Sequence, residues 1–518
     1  MLAITGTAAL RGIEGVSVTV EVDSSRGLPS FHVVGLGDIA VKEAGERVRT
    51  ALINCGYEYP KGRVTVNLYP AWIRKKGSHY DLPIAMGILM LEGVLSAKHL
   101  DGRVFIGELT LEGKLVPING ILPMMKCLGE DVRQVYVPKE NLREAYLALR
   151  GRKTQVIGVE NLKECVELLK KKKHTPKDGY TDGEYDKLIE IDRENMGKLD
   201  FSDVKGQWLA KEAICIAVSG GHGLLMIGPP GTGKTMLAQR IPTILPEMTP
   251  EEQLETSMIY SLTGALTDER PMVFQRPLRR LSSRITETGL LGGGTEPLPG
   301  EISLSHNGVL FMDEFLEYSR GKIEALRRPM EEKEISIIRK GIRYTFPSDF
   351  ILIGATNPCK CGFYGDSEKI CKCTQAELDR YRSKLSGPVA DRIDMAVELT
   401  RIDYENLKEG ESQSSSEMRE KVERAIEMQR ERFKGTNIRL NAQMTENMVK
   451  DICRLGEEEE KLINTAYDRF GLSPRRYYKV LKLARTASDL RGEKEIDIDS
   501  IHQALGYTRF LDLYDKNE

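Results

Sequence analysis

Residues 228–235 read Gly228-Pro229-Pro230-Gly231-Thr232-Gly233-Lys234-Thr235, a complete G-x-x-x-x-G-K-[ST] pattern. These residue types at this spacing do phosphate chemistry. Glycines let successive backbone N–H groups close around a polyphosphate, and the helix that begins at the lysine adds partial positive charge. Lys234 is then placed for the β- and γ-phosphates and Thr235 for Mg²⁺, so ATP with Mg²⁺ is the expected cofactor pair. Hydrolysis needs two more groups, and the pair Asp313-Glu314 offers them at the end of an apolar run. Asp313 can hold Mg²⁺ through water, and Glu314 can polarise the attacking water. Asn357 closes a third apolar run, where a short amide can orient the same water or touch the γ-phosphate. Because the transition state spreads negative charge over the γ-phosphoryl oxygens, arginines are expected near it. Arg392 follows the last sheet segment, where a neighbouring subunit would be met, and is the candidate finger acting in trans. Arg475 opens a helix after Ser473-Pro474, from which it is expected to reach the nucleotide in cis.

A second chemistry is carried by Cys359, Cys361, Cys371 and Cys373, four of the nine cysteines within fifteen residues. Four thiolates are what a structural Zn²⁺ needs. Gly362 and Gly365 would let the loop between the pairs turn. Incidental cysteines or an iron–sulfur cluster are the alternatives to zinc pinning a loop beside Asn357. The other five cysteines are scattered singly, which fits a reducing cytosol and no disulfide framework. A third chemistry is nucleic-acid binding. The segment Glu334 to Phe346 has two alternating apolar arms around Arg339-Lys340-Gly341, a hairpin signal with a basic tip. A ring of such tips would follow a phosphate backbone without reading sequence. Arg279 and Arg280, inside the basic stretch from Arg276 to Arg284, offer a second element for DNA.

These groups need a scaffold. The runs before the P-loop (Leu224 to Ile227), before Asp313 (Gly308 to Met312) and before Asn357 (Phe350 to Ala355) are almost wholly apolar. Such runs suit buried strands of a parallel sheet, with polar groups at the C-terminal ends. After about Thr400 only helical patterns remain: Ser415 to Phe433, Thr445 to Gly456, Glu457 to Phe470, Pro474 to Leu490 and Asp499 to Leu505. Upstream, Val16 to Val22, Phe31 to Gly35 and Arg63 to Asn67 read as strands, with helical spacing over Val41 to Cys55 and Leu82 to Leu91. A chain of 518 residues has room for about three domains. The divisions expected are 1–169, a solvated linker over 170–200, an α/β core over 201–400 and a helical lid over 401–518. The linker, rich in Lys, Asp, Glu and Gly, is too polar to order itself. The net charge of −2 gives no global field for nucleic acid, so local basic patches must do that work. No apolar stretch reaches the roughly 18 residues of a membrane span, and no secretory signal precedes the first strand.

Phe201-Ser-Asp-Val-Lys-Gly-Gln207, the P-loop, Gly300-Glu-Ile-Ser-Leu-Ser-His306 before Asp313-Glu314, Ala355-Thr-Asn-Pro-Cys-Lys-Cys-Gly362 and Leu385-Ser-Gly-Pro388 together resemble the magnesium-chelatase-like AAA+ ATPases. More narrowly, the chain is similar over nearly its whole length to the bacterial competence protein ComM (YifB) family. The resemblance implies a hexameric cytoplasmic ring that hydrolyses ATP between subunits and translocates on DNA, driving branch migration. It implies Asp313 and Glu314 as the Walker B pair, Asn357 as sensor 1, Arg392 as the arginine finger and Arg475 as sensor 2. Residues 1 to about 165 resemble the Lon-protease-like domain of that family, a ribosomal-protein-S5-like α/β fold. Matched to the protease pattern, Asp81 stands at the nucleophile and Leu122 at the lysine, with Ser78 and Lys126 displaced, so a non-catalytic scaffold is expected. The chain departs from the family at one place: Ser282 and Ser283 stand where a histidine pair is usual. Two rival readings are the motor subunit of a metal chelatase, expected to lack residues 1–165, and an ATP-dependent protease, expected to carry a Ser/Lys pair.

Overall fold

The computed structural model describes residues 2–171, 182–196, 199–366, 368–385, 393–401 and 412–515. The N-terminal part is built on a seven-stranded mixed sheet. Its order across the sheet is 30–34, 63–69, 14–25, 2–11, 103–105, 134–138 and 155–159. The long strands Leu2–Arg11 and Glu14–Ser25 form an antiparallel hairpin around Gly12, whose φ is 64°. The strands expected over Val16 to Val22 and Arg63 to Asn67 fall within Glu14–Ser25 and Arg63–Tyr69, and the one expected over Phe31 to Gly35 ends one residue earlier, in Ser30–Val34. The helix Ile39–Asn54 starts at Asp38, whose carboxylate accepts the Val41 N–H, the capping that stabilises a helix start. The helix Asp81–Leu91 is buried along nearly its whole length, which is why its sequence is apolar on every side rather than on one stripe.

The expected linker contains a helix, Asp182–Met196. Tyr185 is buried there with Leu147, Met272 and Phe274, and its hydroxyl donates to Gln253 Oε1 at 2.6 Å. The polar composition hid one apolar stripe, and a partner surface supplied by other segments is enough to order it. Residues 172–181 and 197–198 of the expected linker lie outside the described residues.

The central sheet has five parallel strands in the order 278–281, 308–312, 350–356, 224–227 and 395–398. Alternate residues along each strand serve different cores. Leu224, Met226, Val309, Phe311 and Ile353 pack with the helix Trp208–Gly220 and the C-terminal helices. Leu225, Ile227, Leu310, Met312 and Leu352 face Phe315, Ile323 and Leu326 on the other side. Burial on both faces explains the continuous apolar runs. The P-loop strand thus lies between the strand that ends at Thr356 and the edge strand 395–398, while the strand leading to Asp313 is one place further away.

The C-terminal helices are Ser415–Arg432, Glu446–Ile452, Glu457–Phe470, Pro474–Arg491 and Ile498–Asp515. The second is shorter and the last longer than their patterns suggest. Buried Asp489 knits this bundle together, accepting from Arg432 at 2.6 and 2.7 Å, from Asn441 at 2.8 Å and from Arg485 at 3.1 Å. A buried carboxylate is tolerable only when satisfied in this way. No helix among the described residues is long and apolar enough to cross a membrane.

Candidate functional site

The P-loop turns from the strand Leu224–Ile227 into the helix Lys234–Arg240. Gly231 and Gly233 have φ of 84° and 89°, conformations that disfavour any side chain. Gly228 lies so close to Leu399 that an added Cβ would stand 2.5 Å from its carbonyl oxygen. Thr232 Oγ1 donates to Pro229 O at 3.0 Å and so braces the loop from within. Lys234 Nζ donates to Gly228 O at 2.6 Å, Pro229 O at 2.9 Å and Asn357 Oδ1 at 3.3 Å. Burial lowers the Lys234 ammonium to about 8 against the smaller opposing effect of Asp313.

Thr235 Oγ1 donates to Asp313 Oδ2 at 3.2 Å, bringing the hydroxyl and carboxylate that would flank Mg²⁺ to one point. Both oxygens are hard donors of the kind Mg²⁺ prefers. Glu314 is exposed and adopts φ 52°, ψ 47°. A left-handed backbone is costly for glutamate, and here it swings the side chain out of the line of the strand. Its N–H donates to Asp313 Oδ1 at 3.1 Å.

Three residues at this site were not expected there from sequence. Arg280 Nη2 lies 2.7 Å from the same Asp313 Oδ2 that Thr235 reaches. Gln207 Nε2 donates to Thr400 O at 2.7 Å and to Thr232 O at 3.3 Å, tying the back of the P-loop to the end of the edge strand. Gly362 packs against Pro230. The parallel pairing of 278–281 with 308–312 is the signal for the first, since it sets Arg280 beside the acidic strand.

Arg279 is held by Glu301 through two short contacts of 2.6 and 2.7 Å. With Arg280 on Asp313, both arginines expected at DNA have carboxylate partners within the chain. Ser282 and Ser283 follow the same strand, beside Asp313, whose N–H donates to Leu281 O at 3.4 Å.

Arg475 stands elsewhere. It lines a cavity of 810 Å³ with His222, Asn307, Asp349 and Asp394. Those residues immediately precede or adjoin the starts of strands at Leu224, Gly308, Phe350 and Met395, so the cavity opens at the N-terminal edge of the sheet. The P-loop, Asp313 and Asn357 lie beyond the C-terminal edge. Strands of four to seven residues separate the two edges by roughly 13–23 Å at about 3.3 Å per residue. The expectation that Arg475 meets its own chain's nucleotide is corrected by this placement. Lys479, one turn along from Arg475, donates to Ile393 O at 2.9 Å and pairs with Asp394 at 3.6 Å. Burial opposes ionisation of Asp394, but His222, Lys479 and the Gly223 N–H hold it well below the usual carboxylate range. Arg392 lies outside the described residues, and the chain re-enters the description at Ile393, at this same N-terminal edge.

The hairpin pairs Glu334–Arg339 with Ile342–Pro347 around Lys340 and Gly341, whose φ values are 49° and 78°. Two successive left-handed residues make the two-residue turn whose twist suits a hairpin. Arg339, Lys340 and Arg343 are exposed at the tip; Arg343 is a third cation that sequence reading left out. Tyr344 and Phe346 are buried with Leu262, Leu10 and Ile13, so the root of the hairpin rests on the first N-terminal hairpin. The sulfurs of Cys359, Cys361, Cys371 and Cys373 come within 4.8 Å of one another, a group that could hold a metal ion.

In the N-terminal part Asp81 is gripped by Arg47 at 2.8 and 2.9 Å. Burial nevertheless raises its carboxyl to about 6. Ser78 donates to Glu108, Leu122 is buried and Lys126 is exposed.

Comparison with known proteins adds three family models. One described as magnesium chelatase, subunit ChlI, matches residues 200–407; one described as subunit ChlI of Mg-chelatase matches 20–141; and the C-terminal model of the same subunit matches 412–508. The competence protein ComM of Haemophilus influenzae is 38% identical over 99% of both chains. YifB of Escherichia coli is 37% identical over 98% of this chain and 97% of its own. The magnesium-chelatase 67 kDa subunit of Chlorobaculum parvum is 28% identical over 30% of this chain and 23% of its own.

Proposed function

The chain belongs to the magnesium-chelatase-like family, in the branch that holds ComM and YifB, and on that premise we propose that it is an AAA+ ATPase driving a ring-shaped motor on DNA. The observation that carries the ATPase reading is the convergence of Lys234, Thr235, Asp313 and Asn357 at one edge of the sheet. Backbone amides and Lys234 bind the triphosphate; Thr235 and Asp313 would hold Mg²⁺, which would neutralise charge on the phosphates. Glu314 takes the proton of the attacking water, and Asn357 keeps that water in line. Arg475, at the opposite edge of the sheet, and Arg392 serve the nucleotide of a neighbouring copy, and a hexamer supplies that neighbour. The four cysteines would hold a structural Zn²⁺ as thiolates, and the lack of disulfides among the other five suits a reducing cytosol.

The basic hairpin tip supports DNA as the track. In a ring its three cations contact the phosphate backbone of branched or single-stranded DNA, and the motor acts as a translocase or branch-migration helicase in recombination during transformation. The N-terminal part is a Lon-like, ribosomal-S5-type scaffold without peptidase chemistry, because Asp81 is tied to Arg47 and Ser78 to Glu108 rather than to a lysine. The chelatase motor is a weaker reading. Its expected mark, absence of residues 1–165, does not discriminate, since a ChlI-described model matches 20–141. What separates the readings is extent: ComM matches along the whole chain and the chelatase subunit along under a third.

The test is ATP turnover with and without branched DNA, and unwinding of a synthetic four-way junction. DNA is expected to stimulate turnover. Glu314→Gln should bind ATP but turn it over at least about a hundredfold more slowly. Arg339→Ala with Lys340→Ala should lose DNA affinity and flatten its salt dependence, with basal turnover retained. ATP turnover that survives Lys234→Ala would overturn the nucleotide assignment, and unchanged DNA affinity in the double variant would overturn the hairpin.

A further inference from the structure

Cys359 Sγ lies 3.4 Å from Cys361 Sγ and 3.7 Å from Cys371 Sγ, and the latter two are 3.5 Å apart. A disulfide would need about 2.05 Å; all nine cysteines are free. Four sulfurs each about 2.3 Å from a tetrahedral Zn²⁺ stand about 3.8 Å from one another, close to the spacing found. This spacing fits a single ion better than a four-iron cluster, whose thiolates sit around a larger cage.

The loop that carries these thiolates touches the nucleotide site at two places. Asn357, which accepts from Lys234, is two residues before Cys359. Gly362, with φ 87°, lies against the P-loop: an added Cβ would stand 2.8 Å from Pro230 Cδ, 2.9 Å from Pro230 Cγ and 4.0 Å from Asn357 Cγ. The far end of the loop is clipped to Arg401, which pairs with Asp366 at 2.9 Å and also with Glu368. Asp366 in turn accepts the N–H groups of Glu368 and Lys369 at 2.9 Å. Between Thr356 and Gln375 no strand or helix is formed among the described residues. A stretch of that length without its own secondary structure needs some other source of order, and a bound metal supplies it.

We propose that Cys359, Cys361, Cys371 and Cys373 bind one Zn²⁺ whose task is to hold Asn357 and the outer wall of the P-loop in place, so that ATP affinity depends on the metal. The coupling rests on the nucleotide reading above; the metal site does not. Zinc content and affinity for a fluorescent ATP analogue, measured on the full chain purified without chelator, test the two parts separately. The expectation is about one zinc per chain. Cys371→Ser with Cys373→Ser should lose the metal and weaken ATP binding by about tenfold or more. Gly362→Val should keep the metal and still weaken ATP binding, because its side chain must displace Pro230; this variant decides the coupling if the cysteine variant fails to fold. Absence of zinc, or iron in its place, overturns the metal assignment. ATP binding unchanged in Gly362→Val, or in a folded, zinc-free cysteine variant, overturns the coupling. A zinc-loaded wild-type chain that binds no ATP removes the nucleotide reading and the coupling with it, and leaves the zinc site standing.

Discussion

Lys234 is the residue on which most depends, and its environment makes a statement about pH. Burial lowers its ammonium to about 8, and a bound triphosphate would raise it again. Above pH 8 Lys234 is largely neutral without nucleotide, so binding must take up a proton, and affinity falls. The apparent Kd for ATP should be level near pH 7.5 and then rise by up to about tenfold per pH unit. Equilibrium titrations from pH 7.5 to 9.5 check this, and a level profile would contradict it. The roles of such residues are legible from sequence where a rigid local frame specifies them: eight consecutive residues determine where the P-loop lysine must point. Arg280 was not legible in this way. Its partner is selected by strand pairing, and nothing local distinguishes a guanidinium on Asp313 from one on DNA.

At the scale of elements, the helix Pro250–Leu262 joins the two α/β parts. Gly120 N donates to Ser261 O at 3.0 Å, and Ser261 Oγ donates to Glu144 Oε1. Burial lifts the Glu144 carboxyl from 4.5 to about 7, although Ser261 and Asn141 pull the other way. A folded value above the unfolded one means the native state binds this proton more tightly. Its stabilising effect, on the order of 3 kcal/mol, is full below the unfolded value and is lost as pH climbs through about 7. Glu144→Gln should therefore show a smaller fall in melting temperature between pH 5 and pH 8 than the natural chain. Equal falls in both would show that this carboxyl does not titrate as described. Element types were readable because period two and buried apolar runs persist over many residues. The helix Asp182–Met196 escaped because its order comes from Leu147, Met272 and Phe274, residues far away in sequence that no local window contains.

For the whole molecule, the decisive fact is that the phosphate-binding loop and Arg475 occupy opposite edges of one sheet. Sequence order suggested a helix reaching back to its own nucleotide; the docking of Lys479 on Ile393 and Asp394 shows which way that helix faces. If arginine and loop meet only across two copies, Lys234→Ala and Arg475→Ala chains, each nearly inactive alone, should recover turnover when mixed. At some junctions an intact loop then meets an intact arginine. An equimolar mixture should regain on the order of a quarter of the natural rate, the statistical share of such junctions, if each works independently. No recovery would return Arg475 to its own protomer. A further consequence concerns concentration. A solitary chain would carry two half-sites and no whole one, so dilution alone should silence it, with turnover per chain climbing steeply once copies begin to meet. Encounter would then be the switch: idle copies spare the cell's ATP until they close around something worth moving.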